Sequence, residues 1–433
     1  MILRADAAGR APIPPTAPGF WEGLAAGTPG PEVLAALRTA RRNRNLLLLR
    51  AAHDRHRAER HWSEAVSLLG EVRRVRPDVF ADLLGGPEAG AWLARQAQRS
   101  WSGRPAPSTA DAPVTGLARF AAAAALRAGV DFRIRVPVAE GSTVVLPGLG
   151  AAFLPDSGPG TATVVRDRQG AGLVRAGDRP VGLDGVTDEG ADAAGGAGTT
   201  QGDDGPVWHP LPRVRLADGV TVRLDSLDPL RLGTATERPP RPLPPAERAA
   251  WEQRLAAAWQ VLVERHPARA ETVAGTLRVV VPLPGERGTG WRSASFGDAT
   301  GLAALSAIDS PVELAADLVH EGQHSLVYAL TDLLTLLDAP PGSRTGVPWS
   351  DLPRPPAALL QGAAAFLVTA GFWREERERG SSAAGRPYAH WRRTARTAVA
   401  SLAARPDWTT TDGRRLLDAM GGVLDSWEPR GGT

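Results

Sequence analysis

Apolar residues spaced three and four apart dominate this chain. From Pro31 to about His53, Val33, Leu34, Leu37, Leu46, Leu47 and Leu49 follow a helical period. The run is broken by Arg41-Arg42-Asn43-Arg44, a basic group expected to be a solvated face. Trp62 to Val75, Ala89 to Gln98 and the alanine-rich Thr115 to Ala128 predict further helices, separated by proline and glycine. The period then shortens to two. Asp131 to Val138 and Thr143 to Leu146 predict a hairpin turning at Glu140-Gly141-Ser142, and Val214 to Leu224 reads as paired strands around Asp218-Gly219. Ala246 to His266 returns to helix, with Trp251, Leu255, Trp259 and Leu262 on one core-facing stripe. Val279 to Val281 and Gly301 to Ile308 read as short strands. They precede a helix predicted from Pro311 to about Leu337, opened by the capping box Ser310-Pro311-Val312-Glu313 and ended by Asp338-Ala339-Pro340-Pro341-Gly342. Helices over Ala357 to Arg379, Pro387 to Ala404 and Thr411 to Trp427 finish the chain. The class this predicts is α+β, mostly helical, with small β elements.

Composition divides the 433 residues into three regions. Ser102 to Ser108 has the makeup of a linker, so 1–100 forms a helical N-terminal region, 114–245 a helix and β-hairpin region, and 246–433 a helical region that carries the chemistry. Asp156 to about Gly205 is thick with Gly, Ala and Asp and predicts a mobile surface excursion. Asp203-Asp204 within it could attract calcium, but the spacing fits no calcium loop.

Charge changes the picture less than it first suggests. The pI near 10.2 accompanies a formal charge of only +3, and all 50 basic residues are arginine. With no lysine, no cysteine and two tyrosines, little titrates between histidine and arginine, so a small excess lifts the pI far up. Nucleic-acid binding is not expected. The absence of cysteine excludes disulfides, thiolate metal sites and cysteine nucleophiles, leaving imidazole, carboxylate or amide oxygen as ligands. No apolar signal segment opens the chain and no run approaches 18 apolar residues, which predicts no membrane span and a cytoplasmic protein.

The chemistry concentrates in His320-Glu321-Gly322-Gln323-His324. Residues four apart share one helix face, so two imidazoles can grip one cation while Glu321, as the catalytic carboxylate, leans toward its open positions. Gly322 costs about 1 kcal/mol of helix stability relative to Ala, which predicts close approach by another backbone or by substrate. Gly301 to Ile308 occupies the place of the edge strand that pairs with extended peptide in HExxH metallopeptidases, so the arrangement suits a peptide ligand. Arg354, fixed between Pro353 and Pro355, is suited to a bidentate grip on a carboxylate. Gly362, Ala364 and Ala365 would let the helix after it lie close to the motif helix. His53, His56 and His61, spaced by three and five, do not share one face.

Leu318 to Ser325, Pro348-Trp349 with Pro353-Arg354-Pro355, Leu359 to Gly362, Gly371 to Arg374 and Leu227 to Arg231 together resemble a known family. It comprises the HExxH-motif peptide-modifying proteins of actinobacterial ribosomal-peptide (RiPP) gene clusters, 2-oxoglutarate-dependent peptide beta-hydroxylases. The resemblance implies iron(II) on His320 and His324 and 2-oxoglutarate held at its distal carboxylate by Arg354. It implies an oxidoreductase, a dioxygenase that hydroxylates a side chain of a short precursor peptide, working beside a radical-chemistry peptide maturase. In the family the position of Gln361 is a histidine, placed to be a third ligand from the facing helix. Gln361 would fill that place as a weaker one, since a neutral amide binds first-row metals less well than imidazole. Glu375 lies about 21 Å further along the same helix, and His390 would have to fold back to serve. Two alternatives stand beside this reading. A zinc metallopeptidase would use Glu321 as general base, but no Glu or His lies between His324 and Glu375 to supply its usual third ligand. A non-catalytic descendant would bind peptide or a partner protein with a degraded metal site.

Overall fold

The computed structural model describes residues 17–102, 113–139, 142–155, 158, 160–167, 170, 172–176, 179–183, 206–228, 231, 241–283 and 293–427. The linker from residue 103 onward, Glu140, Gly141, Asp203, Asp204, Pro229 and Leu230 lie outside them. Among the described residues twelve α-helices and fourteen short strands form, a mostly helical α+β architecture.

Pro31–His56 is one unbroken helix of 26 residues. Arg60–Val75, Pro77–Gly85, Pro87–Ser102 and Pro113–Ala128 follow, three of them opened by a proline whose missing N–H would be unpaired there in any case. Their core stacks Trp62 on Trp92, ring centres 6.5 Å apart, over Ala121 to Ala125, all fully buried. The basic group of the first long helix is not a solvated face. Arg41 is 5% exposed and donates to the Asp332 carboxylate and to the Gly297 and Asp298 carbonyls, while Arg44 reaches Asp298 and Asp332. Carboxylates far away in sequence make burial of this charge possible.

The expected hairpin survives only as a bridge between Ala139 and Thr143. Phe132–Val138 pairs instead with Gly160–Arg166, and that sheet continues through Gly172–Ala176 to Arg179–Gly182, inside the stretch read as an excursion. Thr143–Leu146 pairs instead with Gly150–Phe153 across a tight turn in which Gly148 adopts φ 74°, a conformation glycine takes without strain. The predicted pairing around Asp218-Gly219 is present, Arg213–Arg215 lying antiparallel to Thr221–Leu224.

A five-stranded sheet backs the motif. Its order is Ser293–Ser295, Leu302–Ser306, Val279–Leu283, Thr221–Leu224, Arg213–Arg215, with the three central strands parallel. Leu302–Ser306 is therefore interior, and Ser293–Ser295 occupies the edge expected to be free for peptide. Pro245–Arg265 crosses over the sheet with Trp251, Leu255, Trp259 and Leu262 buried as the periodicity requires.

The motif helix runs Pro311–Thr331, with the Ser310 hydroxyl accepting from the Glu313 N–H. It ends a turn and a half earlier than expected. Leu337 bridges to Thr409, the Asp338 N–H donates to the Trp408 carbonyl, and the Thr410 N–H donates to that of Leu336, so the chain is drawn out of the helix before the prolines. Gly322 lies against Pro267–Thr276, where a Cβ would meet Thr276 Oγ1 at 3.3 Å and Val273 Cγ2 at 3.4 Å.

Pro356–Glu378 packs against the motif helix and, on its other side, against Gly385–Ala403. By length and mean hydropathy it could cross a membrane although polar residues such as Gln361 and Thr369 interrupt it, and 89% of that stretch is buried within the fold. A helix covered all round by protein reads as apolar on every face. Gly362 does not serve contact with the motif helix: a Cβ there would overlap the Trp349 indole.

Candidate metal centre

His320 and His324 project from one face of the motif helix with their Nε2 atoms 3.1 Å apart. The facing helix fixes both rings from behind. His320 Nδ1 lies 3.0 Å from the Thr369 hydroxyl oxygen, and that hydroxyl donates its only proton to the Ala365 carbonyl at 2.8 Å. Nδ1 is therefore the donor, and Nε2 carries a lone pair. His324 Nδ1 lies 3.0 Å from Gln361 Oε1. As an amide oxygen only accepts, this ring too protonates Nδ1 and turns the Nε2 lone pair inward. Two lone pairs aimed at one point repel unless a cation or a proton lies between them. Burial, followed by the closeness of the His324 imidazole, which disfavours charge on both rings at once, pushes the His320 pKa well below its ordinary value and keeps that imidazole neutral.

The separation matches a metal's demands. Two ligands at right angles with bonds of about 2.1 Å sit about 3.0 Å apart. The Glu321 carboxylate comes within 4.8 Å of the imidazole nitrogens, close enough to join them on an ion or to hold a water bound there. It is buried and accepts a hydrogen bond from the Ser295 hydroxyl. Tyr328, one turn beyond His324, has its pKa raised by burial and then by the Glu321 and Asp298 carboxylates, so its phenol stays protonated beside the site. Phe366 covers His320, with ring centres 5.3 Å apart, and Trp349 packs on Phe366. A cavity of about 430 Å³ opens next to the site between Tyr328, Leu336, Ala358 and Gln361.

The structure thus brings together His320, Glu321, His324 and Gln361, but with a different part for Gln361. Its oxygen meets the outer nitrogen of His324, away from the point where the Nε2 atoms converge, so in this arrangement it orients the His324 ring and does not face that point. Arg354 stands apart: it is exposed on the short strand Ser350–Arg354 and does not line the cavity beside Gln361. Glu375 is held by His266 and Arg269, which keep its pKa down at about 2 against the effect of burial. His390 is exposed and turns toward a separate cavity behind Thr369. His53 accepts from the Trp62 indole, and His56 packs on the same ring.

Sequence reasoning missed Ser295 and Thr369. Thr369 was within reach: in antiparallel helices the pairing of His324 with Gln361 places a later residue of the second helix opposite the earlier histidine. Ser295 gives no such signal, since its strand is three residues long.

The position of Gln361 carries a prediction. An outer partner that fixes a ligating histidine is worth about 10- to 100-fold in metal affinity. Gln361→Leu should weaken metal binding by that order. Gln361→Glu should hold or tighten it, because a carboxylate on Nδ1 makes the imidazole a stronger donor. Gln361→His should not add a ligand. Titration with cobalt(II) as a spectroscopic probe checks all three, and equal affinity in the Leu variant would remove the assigned role.

Compared with protein-family models and with curated proteins, the chain matches none.

Proposed function

We propose that this chain is a metal-dependent enzyme using His320 and His324 to hold iron(II), with 2-oxoglutarate as cosubstrate, to hydroxylate a side chain of a short peptide. One observation carries the metal: both Nδ1 atoms are engaged by acceptors, which leaves both Nε2 lone pairs converging 3.1 Å apart. Paired imidazoles beside a carboxylate, with other positions open, suit non-heme iron oxygenases, and iron would supply oxygen activation there. The oxidative chemistry and the peptide rest on the motif resemblance. The protein's own part is to hold the two rings in one tautomer, keep Glu321 on Ser295, and screen one side with Phe366 and Trp349. Arg354 as the cosubstrate's anchor would require the exposed strand to fold inward.

The test is succinate release from the reconstituted protein with iron(II), 2-oxoglutarate and oxygen, together with a short peptide encoded beside it. His320→Ala should abolish release. Cleavage of the peptide with zinc bound, and no succinate, would instead make the chain a metallopeptidase with Glu321 as base. Neither product, with peptide still bound, would make it a binding protein.

A further inference from the structure

On the side of the motif helix away from its histidines lies a groove made of two adjoining cavities. The first, about 400 Å³, has Ser325 and Leu326 of the motif helix in its wall and is ringed by Arg38, Arg42 and Arg278. The second, about 390 Å³, shares Asp82 and Arg278 with the first and continues past Arg127, Arg213 and Arg223. Arg38 and Arg42, one helical turn apart, have no carboxylate partner among the described residues. Arg38 reaches the Gly275 carbonyl, at 3.4 Å. Arg38 and Arg278 also repel, an effect that adds to burial in lowering the Arg38 pKa. Asp82, the one acidic side chain among the described residues lining either cavity, is already bound by Arg278 and by Arg127. An anion between the guanidinium groups would relieve that repulsion through charge-assisted hydrogen bonds.

We propose that this groove binds an acidic stretch of the peptide on which the metal site acts, an inference that rests on the peptide reading of that site. Two features favour acidic peptide over nucleic acid. Among the described residues no aromatic side chain lines either cavity, so unpaired bases would find no stacking surface. Asp82 at the junction would face a phosphate in any register of a uniformly charged strand, whereas a peptide can place a neutral residue there. Because the groove and the imidazoles occupy opposite faces of a helix about 10–12 Å across, the acidic stretch and the modified residue must be separated by at least three to four extended residues. Recognition and reaction are thereby placed on different segments of one peptide.

The experiment measures fluorescence anisotropy of a fluorescein-labelled peptide of four Glu-Ala repeats, in about 50 mM salt where charge contacts are only partly screened. The doubly substituted Arg38→Ala, Arg42→Ala protein should bind it about tenfold more weakly than the native chain. Arg133→Ala with Arg135→Ala, two exposed arginines of Phe132–Val138, should change binding less than twofold. An iron-dependent melting shift equal to the native one shows that the double variant is folded. Equal loss in both pairs, or no loss at Arg38 and Arg42, overturns the proposal. So does tighter binding of a labelled thymidine oligonucleotide of the same charge. His320→Ala, run in parallel, should retain native peptide affinity. In the native chain, failure of succinate release with peptide binding intact removes the proposed reaction and leaves the groove, and the converse removes the groove alone.

Discussion

Alanine at His320 or at His324 is expected to erase the rise in melting temperature that added iron(II) gives the native chain. The two Nε2 atoms are the paired donors, and each is aimed by a hydrogen bond at the other end of its ring. Remove one imidazole and the survivor must hold the ion with the help of Glu321 alone, while Glu321 is also engaged by Ser295. At an ion concentration one hundred times the dissociation constant the native chain gains about 2.7 kcal/mol of stability, and that gain should vanish in either variant. Zinc(II) should behave alike, because the loss is of donors and not of a particular metal. Glu321→Gln separates the remaining possibilities: a shift that persists places the carboxylate beside the ion as a base or a holder of water, and a shift that is lost makes it the third ligand. Differential scanning fluorimetry with and without metal gives the answer. A native-sized shift in both alanine variants would mean that the pair is an ordinary helix contact.

The parts of this site that were legible in the sequence are those decided within one or two helical turns. Ser310 and Pro311 set the start of the motif helix, four-residue spacing put both imidazoles on one face, and small residues such as Ala364 and Ala365 predicted a second helix lying close to it. What could not be read depends on atoms brought together from far apart. The family resemblance implies Gln361 beside the histidines, yet which ring nitrogen the amide meets is set by the height of one helix against the other. Prolines on either side of Arg354 constrain its backbone and leave the side chain free to face solvent, as it does. The strands between Gly160 and Gly182 were hidden by their glycine-rich surroundings, since each gains stability from a neighbour rather than from its own alternation. The strand at Leu302–Ser306 was correctly located, but its role as an edge depended on Ser293–Ser295, too short to register as a strand.

The same reasoning makes Arg41 the residue whose loss should hurt the fold most. A run of charges on a helix usually marks a wet surface, but the guanidinium of Arg41 is buried against Asp332, 291 positions away, and against the carbonyls of Gly297 and Asp298. Arg44 and Gln98 hold the Asp298 carboxylate from the outside. The N-terminal helix thus clamps the segment that begins with Ser295, the donor to Glu321, to the end of the motif helix. Arg41→Ala leaves Asp332 with Arg44 alone and takes a donor from the Asp298 carbonyl and from that of Gly297, which keeps the Thr300 hydroxyl, and breaking a buried pair from one side typically costs about 3–5 kcal/mol. Urea unfolding should show a loss of that size, whereas Arg42→Ala, one position along and without a carboxylate partner among the described residues, should change stability by no more than about 0.5 kcal/mol. The combined Arg41→Met, Asp332→Leu protein should recover part of the loss, because it removes both charges instead of stranding one. If the clamp also positions Glu321, Arg41→Ala should weaken metal binding even at urea concentrations where the chain remains folded. Native stability in Arg41→Ala would show that the buried ion pair contributes nothing and that the N-terminal helix is held by its apolar contacts alone.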